Sequence, residues 1–548
     1  MAVRDEQLIR AGVETGLIEE STVEQLRLIA RRERVPLLSK LLAHYRLPLS
    51  AMHRALAEEH GHDFVDLTDA ELNATLTKKI PSSLINRKQL LVMTVDSRDM
   101  LVVSDPTDRM SIDSALRLIG TTLPVVMSDP ERLRLAIRKV LANTAVGQAN
   151  ESAAVTETDL VAVLDSVLKD AYLNRASDVH LMTEEDGLRV RFRVDGKLTD
   201  YPLDADQSVA AGLISRVKVL SGLDISEQRM PQDGGFSYRL ASPVDMEFNI
   251  RVATAPTRLG ERITMRLLGS ESNSLTLTDL GFLENDLIEF KQAIRKPYGM
   301  ILLTGPTGSG KSTTLCAALQ EINHSDINIM TVENPIEYVI DGISQIQTGP
   351  KINFADALRS LLRHDPDVLM VGEIRDSETA DVAVKAAMTG HLVFSTLHTN
   401  NAVSAVTRLV DIGCEPFLIG STMTAVIAQR LVRRLCRHCA KSRPATDDEK
   451  VLLGVEDEVE IFEPVGCAVC QGQGFRGRLG LFETLWFDER LARMVAKGAD
   501  EETLEANAGK ALKFMWEDGC EKVLRGLTTL DEVRDVAVFK RHDMAEIA

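Results

Sequence analysis

A glycine-rich segment near the middle of the chain has the residue types that are needed to hold a phosphate chain. It lies between an apolar run at 300–304 and a run of helical composition at 313–319. Glycines let backbone N–H groups converge on phosphate oxygens, and the amino end of a helix adds a favourable dipole. Lys311 is placed to neutralise the β and γ phosphates, and Ser312 to bind Mg²⁺. This strand, loop and helix context predicts ATP-binding residues. They are Gly305, Pro306, Thr307, Gly308, Ser309, Gly310, Lys311, Ser312 and Thr313.

Carboxylates follow two further apolar runs, as ATP hydrolysis requires. One acidic group must lie near Mg²⁺, and one must orient the attacking water. Glu373 comes just after the run 368–371, so it is predicted at the carboxyl end of a strand, where the sites of α/β proteins form. The run 329–332 leads into Glu333, and Glu337 follows four residues later. Either of these two glutamates could polarise water, and the spacing alone does not choose between them.

Four of the seven cysteines form two C-x-x-C pairs that suit a tetrahedral metal site. The pair Cys436 and Cys439 is separated from the pair Cys467 and Cys470 by 27 residues. Four thiolates in paired turns are typical ligands of Zn²⁺, and a site with four protein ligands has a structural role. The competing interpretation is a set of reducible thiols without a metal. We expect these four cysteines to bind one Zn²⁺.

The elements that position these residues divide the chain into several segments. Alternating helical and strand patterns predict a small α/β domain at the start, and a polar linker follows it. In the next domain, apolar residues alternate with Arg189, Arg191 and Arg193, which predicts a strand with one cationic face. A solvated face with salt bridges is the alternative to a functional one. The predicted segments are an N-terminal docking domain at 1–142, the linker at 143–157, a second domain at 158–272 and a P-loop ATPase domain at 273–548, which includes a zinc loop at 436–470 and a helical region at 488–548.

Composition and charge argue against several classes of protein. Hydrophobic residues make up 44% and charged residues 26%, which is typical of globular proteins. The chain has no run of about 18 apolar residues, and its start lacks the apolar stretch of a signal peptide, so we expect a cytoplasmic protein. The net charge of -18 disfavours nucleic-acid binding, because that affinity comes largely from cationic contacts to phosphates.

Four segments resemble, in order and content, those of the ATPases that drive type II secretion and type IV pilus assembly. After the glycine-rich loop come an acidic box at 331–337, a segment at 362–376 that contains Glu373, and a histidine box at 389–400. The resemblance covers residues 155–540 strongly and the first 142 weakly. It implies an α/β protein in which a PAS-like α/β domain and a small N-terminal α/β domain precede a RecA-like P-loop domain.

The same resemblance implies roles for individual residues. Glu337, the last acid of its box, would be the catalytic carboxylate. His398 and His391 would sense the nucleotide. Arg251 and Arg266 would come from the second domain of a neighbouring subunit and reach the γ-phosphate as arginine fingers.

Three further positions bear on the nucleotide site. Arg359 and Arg363 are four residues apart, which predicts that they share a helix face just before Glu373 and approach the phosphates. Asn334 stands where the family usually has Asp, which removes one negative charge near Mg²⁺.

The resemblance implies a hexameric ring that couples ATP hydrolysis to the assembly of a pilus or pseudopilus. The zinc loop resembles that of the assembly motors in this family, and the retraction motors lack such a loop. The implied partners are an inner-membrane platform protein and a cytoplasmic docking protein, with only peripheral attachment to the membrane. The stretch 35–42 lacks the Arg and Gly of a cyclic-dinucleotide motif, so we expect docking rather than dinucleotide binding there. One alternative is a P-loop nucleic-acid translocase, which the charge disfavours. Another is a nucleotide-gated scaffold without turnover, which the presence of Lys311, Glu337 and Glu373 argues against.

Overall fold

The computed structural model describes most of the chain. The described residues are 5–33, 35–45, 47, 49–65, 67, 71–95, 98–130, 133–134, 136–137, 157–185, 187–201, 203, 207–240, 246–268, 276–470 and 472–538. Most of the predicted linker 143–157 therefore lies outside the described residues, as do the predicted boundary at 272 and the last ten residues. The chain divides into two compact units, residues 1–270 with 467–472 and residues 271–466 with 473–548, and each is described by itself. Among the described residues, no helix is long and apolar enough to cross a membrane.

The N-terminal region combines packed helices with a small sheet. Its elements are α1 (Asp5–Glu14), α2 (Glu20–Glu33), α3 (Leu37–Tyr45), α4 (Leu49–Glu59), β1 (Glu71–Leu72), α5 (Ala74–Thr77), α6 (Ser82–Lys88), β2 (Leu90–Val95), β3 (Arg98–Val103), α7 (Arg109–Ile119) and β4 (Val125–Met127). The sheet has the order β1-β2-β3-β4, with a parallel β3–β4 pair and antiparallel pairs elsewhere. Apolar side chains of α1 to α4 form one core, and those of β2, β3 and α7 form another. The N-terminal α/β arrangement thus agrees with the periodicity of the sequence.

A six-stranded antiparallel sheet forms the centre of the next region. Its elements are α8 (Glu157–Leu173), β5 (Ala176–Glu184), β6 (Gly187–Val194), β7 (Lys197–Tyr201), α9 (Gln207–Leu220), β8 (Gln232–Leu240), β9 (Met246–Thr257) and β10 (Gly260–Leu268). The strand order is β7-β6-β5-β10-β9-β8. Leu188, Val190 and Phe192 of β6 are buried in a core shared with α8 and α9. The arginines between them point to the other face, because successive side chains of a strand alternate.

An eight-stranded sheet organises the unit that begins at residue 271. Its elements are α10 (Glu284–Ala293), β11 (Gly299–Thr304), α11 (Lys311–Ile322), β12 (Ile329–Glu333), β13 (Ser344–Gln347), α12 (Phe354–Leu361), β14 (Val368–Val371), α13 (Ser377–Met388), β15 (Leu392–Leu397), α14 (Ala402–Ile412), α15 (Pro416–Thr422), β16 (Met423–Leu435), β17 (Lys441–Pro444), α16 (Asp447–Leu453), β18 (Glu460–Glu463), β19 (Phe475–Trp486), α17 (Glu489–Ala496), α18 (Glu501–Ala508), β20 (Leu512–Lys513), α19 (Met515–Leu524) and α20 (Leu530–Arg534). The order is β13-β12-β14-β15-β11-β16-β19-β20, and β17 pairs with β18 separately. The first six strands are parallel, and β19 and β20 are antiparallel additions.

Apolar cores cover both faces of this sheet. Met300 and Leu302 of β11 belong to one core, and Ile301 and Leu303 belong to the other. A strand that is buried on both faces is typical of a parallel sheet between helices. Because the six parallel strands run in one direction, the loops that follow β11, β12, β14 and β15 all leave the sheet at the same edge, which we call the carboxyl edge.

Candidate active site

The glycine-rich loop, which we call the cradle (residues 305–313), connects β11 to α11 at the carboxyl edge. Gly305, Gly308 and Gly310 have φ angles of 143°, 80° and 90°, a range that other residues rarely adopt. The helix α11 begins at Lys311, so the loop ends at the amino end of a helix, where anions bind favourably. The buried Oγ of Ser309 has no hydrogen-bond partner within the described structure. The cradle thus presents polar groups that a phosphate chain would satisfy.

The strand β16 packs against the cradle and leaves no room for additional side-chain atoms there. A Cβ atom at Gly305 would lie 2.5 Å from the carbonyl oxygen of Gln429, and one at Gly310 would lie 2.7 Å from the Nε2 of Gln429. The hydroxyl of Thr314 donates to the Gln429 side-chain oxygen at 2.9 Å. Close packing against backbone therefore requires glycine at position 305, and the backbone angles favour glycine at both positions.

Lys311 is buried, and its ammonium group contacts the backbone of the cradle. The Nζ atom donates to the carbonyl oxygens of Gly305 at 2.7 Å and Pro306 at 3.0 Å. Burial, and to a smaller degree the positive charge of Arg430, lower the pKa of Lys311 to about 8, against an opposing effect of Glu373. A buried ammonium group held only by neutral oxygens favours the binding of an anion.

Glu373 lies at the carboxyl edge after β14. Its carboxylate is 2.6 Å from the guanidinium of Arg375 and 3.5 Å from the Nε2 of His398, and only 12% of its side chain is exposed. The pairing of β14 with β15 brings Glu373 and His398 together, because both follow the ends of neighbouring parallel strands. These two predicted site residues therefore meet next to the strand that carries the cradle.

The two candidate acids of the acidic box differ in their surroundings. Glu333 is buried, and its Oε1 accepts hydrogen bonds from the hydroxyl of Thr331 at 2.6 Å and the amide of Gln345 at 2.9 Å. Glu337 lies in the loop that follows β12 and is half-buried. A carboxylate oxygen that already accepts two internal hydrogen bonds is less available to a water molecule. The role of Glu337 as the acid that polarises water stays a prediction.

His391 lies at the other edge of the sheet. It precedes β15, its carbonyl oxygen accepts the N–H of Gly299 at the start of β11, and its Nδ1 is 3.0 Å from the carbonyl oxygen of Ala386. Six residues of β15 separate it from His398, a span of about 20 Å. The structure therefore places His391 far from His398 within one chain, and its role as a nucleotide sensor stays a prediction.

Arg359 and Arg363 do not share a helix face. The helix α12 ends at Leu361, so Arg363 lies beyond it, and this part of the prediction is wrong. Arg359 is ion-paired with Asp356 at 3.1 Å and with Glu378 at 2.7 Å. After α12 the chain turns, and the N–H of Arg363 donates to the carbonyl oxygen of Ser360 at 3.0 Å. The approach of either arginine to the phosphates stays a prediction.

Arg251 and Arg266, in the other unit, lie directly opposite each other on β9 and β10. Arg266 forms an ion pair with the buried carboxylate of Asp178 at 2.9 Å, and Arg193 lies 4.0 Å from the same carboxylate. The register places Asp178, Arg266 and Arg251 in one cross-strand row, so their side chains leave the same face of the sheet. A role for this face toward a neighbouring subunit stays a prediction.

The four predicted zinc ligands, Cys436, Cys439, Cys467 and Cys470, come together. All four sulfur atoms lie within 4.8 Å of one another, and those of Cys467 and Cys470 are 3.7 Å apart. The N–H groups of Gly466 and Cys467 donate to the sulfurs of Cys439 and Cys470, each at 3.2 Å. Zn–S bonds of about 2.3 Å in a tetrahedron place the sulfurs about 3.8 Å apart. The donor set and its spacing therefore fit Zn²⁺.

Two residues that border the cradle were not found from the sequence. Gln429 contacts the cradle as described above, although 115 positions separate it from Thr314. Arg430, the next residue, lies beside Gly305 and lowers the pKa of Lys311. The only signal in the sequence is a Gln-Arg pair directly after the apolar run 425–428.

Comparisons with known proteins agree with this architecture. A family profile described as "Type II/IV secretion system protein" matches residues 153–535, and one described as "MshEN domain" matches residues 60–146. Type II secretion system protein E of Pseudomonas aeruginosa is 40% identical over 494 residues, which cover 85% of this chain and 98% of that protein. Type IV pilus assembly ATPase PilB of Myxococcus xanthus is 38% identical over 509 residues, which cover 87% of this chain and 89% of that protein.

The solved structures show the same fold. The X-ray structure of the Legionella pneumophila ATPase DotB matches with a TM-score of 0.53 at 24% identity and covers 71% of this chain and 97% of that one. This likeness concerns the fold alone, and it confirms the predicted RecA-like α/β architecture.

Proposed function

Since the chain belongs to the type II/IV secretion system protein family and is an ATPase, we propose that its ATP hydrolysis drives the assembly of a pilus or pseudopilus. The observation that carries the proposal is the meeting of the cradle, Glu373 and His398 at one edge of the sheet. The similarity to a type II secretion protein and to a pilus assembly ATPase over most of the chain supports the assembly role.

The phosphates of ATP would lie in the cradle. Lys311 would exchange its carbonyl partners for phosphate oxygens, and the unpartnered hydroxyl of Ser309 would gain an acceptor. Ser312, whose side chain is exposed, and Glu373 would hold Mg²⁺. When bound, Mg²⁺ would supply positive charge that offsets the charge of the phosphates.

Hydrolysis requires a water molecule in line with the γ-phosphate. Glu337 would orient that water by accepting a hydrogen bond from it, because its half-buried side chain lies in the loop after β12 at the carboxyl edge, whereas Glu333 is buried. His398 lies 3.5 Å from Glu373, so the contacts of its imidazole would differ according to whether Glu373 holds Mg²⁺. In this way His398 would report the state of the nucleotide to the loop that begins α14.

A complete site would need a second copy of the chain. Arg251 and Arg266 leave one face of a sheet that belongs to the unit before residue 270, whereas the cradle belongs to the other unit. We propose that these arginines reach the γ-phosphate held by a neighbouring subunit in a hexameric ring. Arginines supplied in this way are known to stabilise the charge of the transition state.

The cysteine loop would have a structural role. Cys436 directly follows β16, and its N–H donates to the carbonyl oxygen of Gly474 just before β19. A Zn²⁺ ion on the four sulfurs would hold the ends of this long antiparallel pair together. The ion would therefore stabilise the strand that packs against the cradle, without taking part in hydrolysis.

The proposed partners are an inner-membrane platform protein and a cytoplasmic docking protein. The docking protein would be bound by the N-terminal region, so that membrane attachment is peripheral.

A binding experiment tests this proposal. Purified chain would be incubated with inner-membrane vesicles, protease-treated vesicles and protein-free lipid vesicles. We expect binding only to the first, with an amount that changes when ATP is replaced by ADP. Equal binding to protein-free lipid would contradict the role. ATPase stimulation by DNA in place of membranes would favour the nucleic-acid translocase. Binding without any turnover would favour a nucleotide-gated scaffold.

A further inference from the structure

The side chain of Arg430 lies beside Gly305, at the start of the cradle. It follows the buried run of β16, and its Nη1 would lie 3.2 Å from a Cβ atom placed on Gly305. Its Nη2 donates to the backbone and side-chain oxygens of Asn400 at 3.4 and 3.3 Å, and its Nη1 donates to the carbonyl oxygen of Gln429 at 3.4 Å. The guanidinium therefore lies between the first glycine of the cradle and the loop that carries His398.

The charge of Arg430 is not matched by an acid. Within residues 276–470 and 472–538, no carboxylate lies within 4 Å of its guanidinium, and its three acceptors are neutral oxygens at long distances. Arg433, three residues later on the same strand, is instead ion-paired with Glu532 at 2.7 Å. Arg430 is half-buried as well, and burial lowers its pKa despite the opposing charge of Glu483. A half-buried guanidinium with weak neutral partners is poorly stabilised until an anion arrives.

Two cations therefore converge on the cradle. Lys311 also contacts only carbonyl oxygens, and the positive charge of Arg430 lowers its pKa. Both charges are oriented toward one loop whose shape and backbone suit phosphate. Their mutual repulsion would be relieved by the negative charge of the outer phosphates, and Arg430 can make two parallel hydrogen bonds to phosphate oxygens where Lys311 supplies a point charge.

We propose that Arg430 binds the β and γ phosphates of the nucleotide held by its own subunit, as a second cation of the cradle. This inference rests on the proposed ATP site. It differs from the proposed arginine fingers in that the residue and the cradle belong to the same chain. On binding, Arg430 exchanges its long bonds to Asn400 for phosphate oxygens, which releases the loop between His398 and α14.

The test is the affinity of the full-length protein for adenosine, AMP, ADP and an ATP analogue with a non-hydrolysable β,γ bridge, measured by calorimetry. In Arg430→Gln we expect affinity for the ATP analogue to fall by roughly 10- to 100-fold, the range of charge-assisted hydrogen bonds. The loss should be smaller for ADP and absent for adenosine and AMP. Arg430→Lys should recover part of the loss, because it keeps the charge but not the paired donors.

Two matched variants make the outcome decisive. Arg433→Gln removes an arginine of the same strand whose partner is Glu532, and it should change the four affinities by one common factor. Lys311→Ala should lose the ATP analogue whether or not Arg430 takes part.

The outcomes separate the inference from the ATP site. If Lys311→Ala loses binding while Arg430→Gln binds as wild type, or while Arg430→Gln loses all four ligands equally, the inference is wrong and the ATP site stands. If neither substitution affects binding, the ATP site itself is wrong. Should Arg430→Gln fail to fold, the same gradation in Arg430→Lys decides.

Discussion

Two groups of cationic side chains are held in opposite ways in this chain. In the cradle, Lys311 contacts carbonyl oxygens only. On the open face of the six-stranded sheet, Arg266 is paired with Asp178 at 2.9 Å and Arg189 with Asp200 at 2.8 Å. A cation with neutral partners binds phosphate without losing an ion pair, whereas a paired guanidinium must first leave its carboxylate. The cradle can therefore bind the phosphates of a nucleotide without breaking an ion pair. The sheet face that carries Arg189, Arg251 and Arg266, which we call the arginine face, would bind phosphate only when the phosphate displaces a carboxylate.

The largest expected effect is the loss of the cradle cation. Lys311→Ala should reduce ATP turnover by about 10³-fold or more, because a buried charge that stabilises the transferred phosphate is removed. Melting temperature should change little, since the ammonium contacts backbone oxygens rather than the core. Lys385→Ala, a surface lysine paired with Asp381, is the control. Wild-type turnover in Lys311→Ala would show that the cradle is not the site at which ATP is hydrolysed.

Substitutions on the arginine face should reduce ATP turnover by a similar factor, and the effect should depend on which subunits lie next to each other in the ring. Arg251→Ala or Arg266→Ala should slow turnover by about 10³-fold, the usual value of an arginine finger. Arg189→Ala, on the same face, should change turnover by less than about threefold. Mixing Arg251→Ala with Lys311→Ala chains should restore activity, because some intact cradles would meet intact arginines. Two inactive variants that stay inactive when mixed would speak against a site shared between subunits.

The acid that polarises water should be revealed by a matched pair of substitutions. Glu337→Gln should slow hydrolysis by about 10²-fold or more while nucleotide still binds. Glu333→Gln should instead reduce thermal stability, because Thr331 and Gln345 lose a charged acceptor. Single-turnover kinetics and thermal melts separate the two. The opposite result would transfer the catalytic role to Glu333.

The pH dependence of ATP affinity should depend on the cradle alone. The pKa of Lys311 is about 8 in the free protein, and phosphate raises it by stabilising the charged form. ATP binding should therefore take up a proton above pH 8, and affinity should fall by about tenfold per pH unit there. Calorimetry in buffers with different ionisation enthalpies measures this uptake. Lys311→Arg should abolish it, since Arg stays charged. A flat affinity up to pH 9.5 would contradict the environment described for Lys311.

The smallest effect on nucleotide should come from the cysteine loop. We expect about one Zn²⁺ per chain, and Cys439→Ser should lose it and lower the melting temperature. ATP affinity should stay within about twofold, because the metal touches neither cationic group. Cys520→Ala, which removes a buried cysteine outside the cluster, should keep the zinc. Metal analysis that finds no zinc in protein made under reducing, metal-replete conditions would refute the site.

The sequence predicted those parts of the site that depend on local pattern. The cradle and Glu373 each follow a short apolar run that is typical of a buried strand, so their positions follow from the end of that strand. Gln429 and Arg430 border the cradle because β16 pairs with β11, and this pairing is set by the order of strands in the sheet. Strand order depends on long-range packing, which no local pattern records.

The positions of His391 and Arg363 in the fold could not be predicted for a different reason. The spacing of residues within a motif shows neither which helix or strand the motif forms nor where that element ends. The buried run 392–397 makes a strand, which puts His391 and His398 at opposite ends. The helix α12 ends two residues before Arg363. Both facts depend on where an element ends, the feature that sequence patterns define least well.

The environment of Lys311 also has a consequence for covalent chemistry. An ammonium group is not a nucleophile, and an ordinary lysine with a pKa near 10.5 is almost entirely protonated at pH 8. With its pKa at about 8, Lys311 is roughly half in the free-amine form at that pH. An uncharged acylating reagent small enough to enter the empty cradle would therefore acylate Lys311 in preference to the surface lysines. The modified peptide would provide a direct label of chains whose cradle is free to accept nucleotide, even within a crude membrane extract.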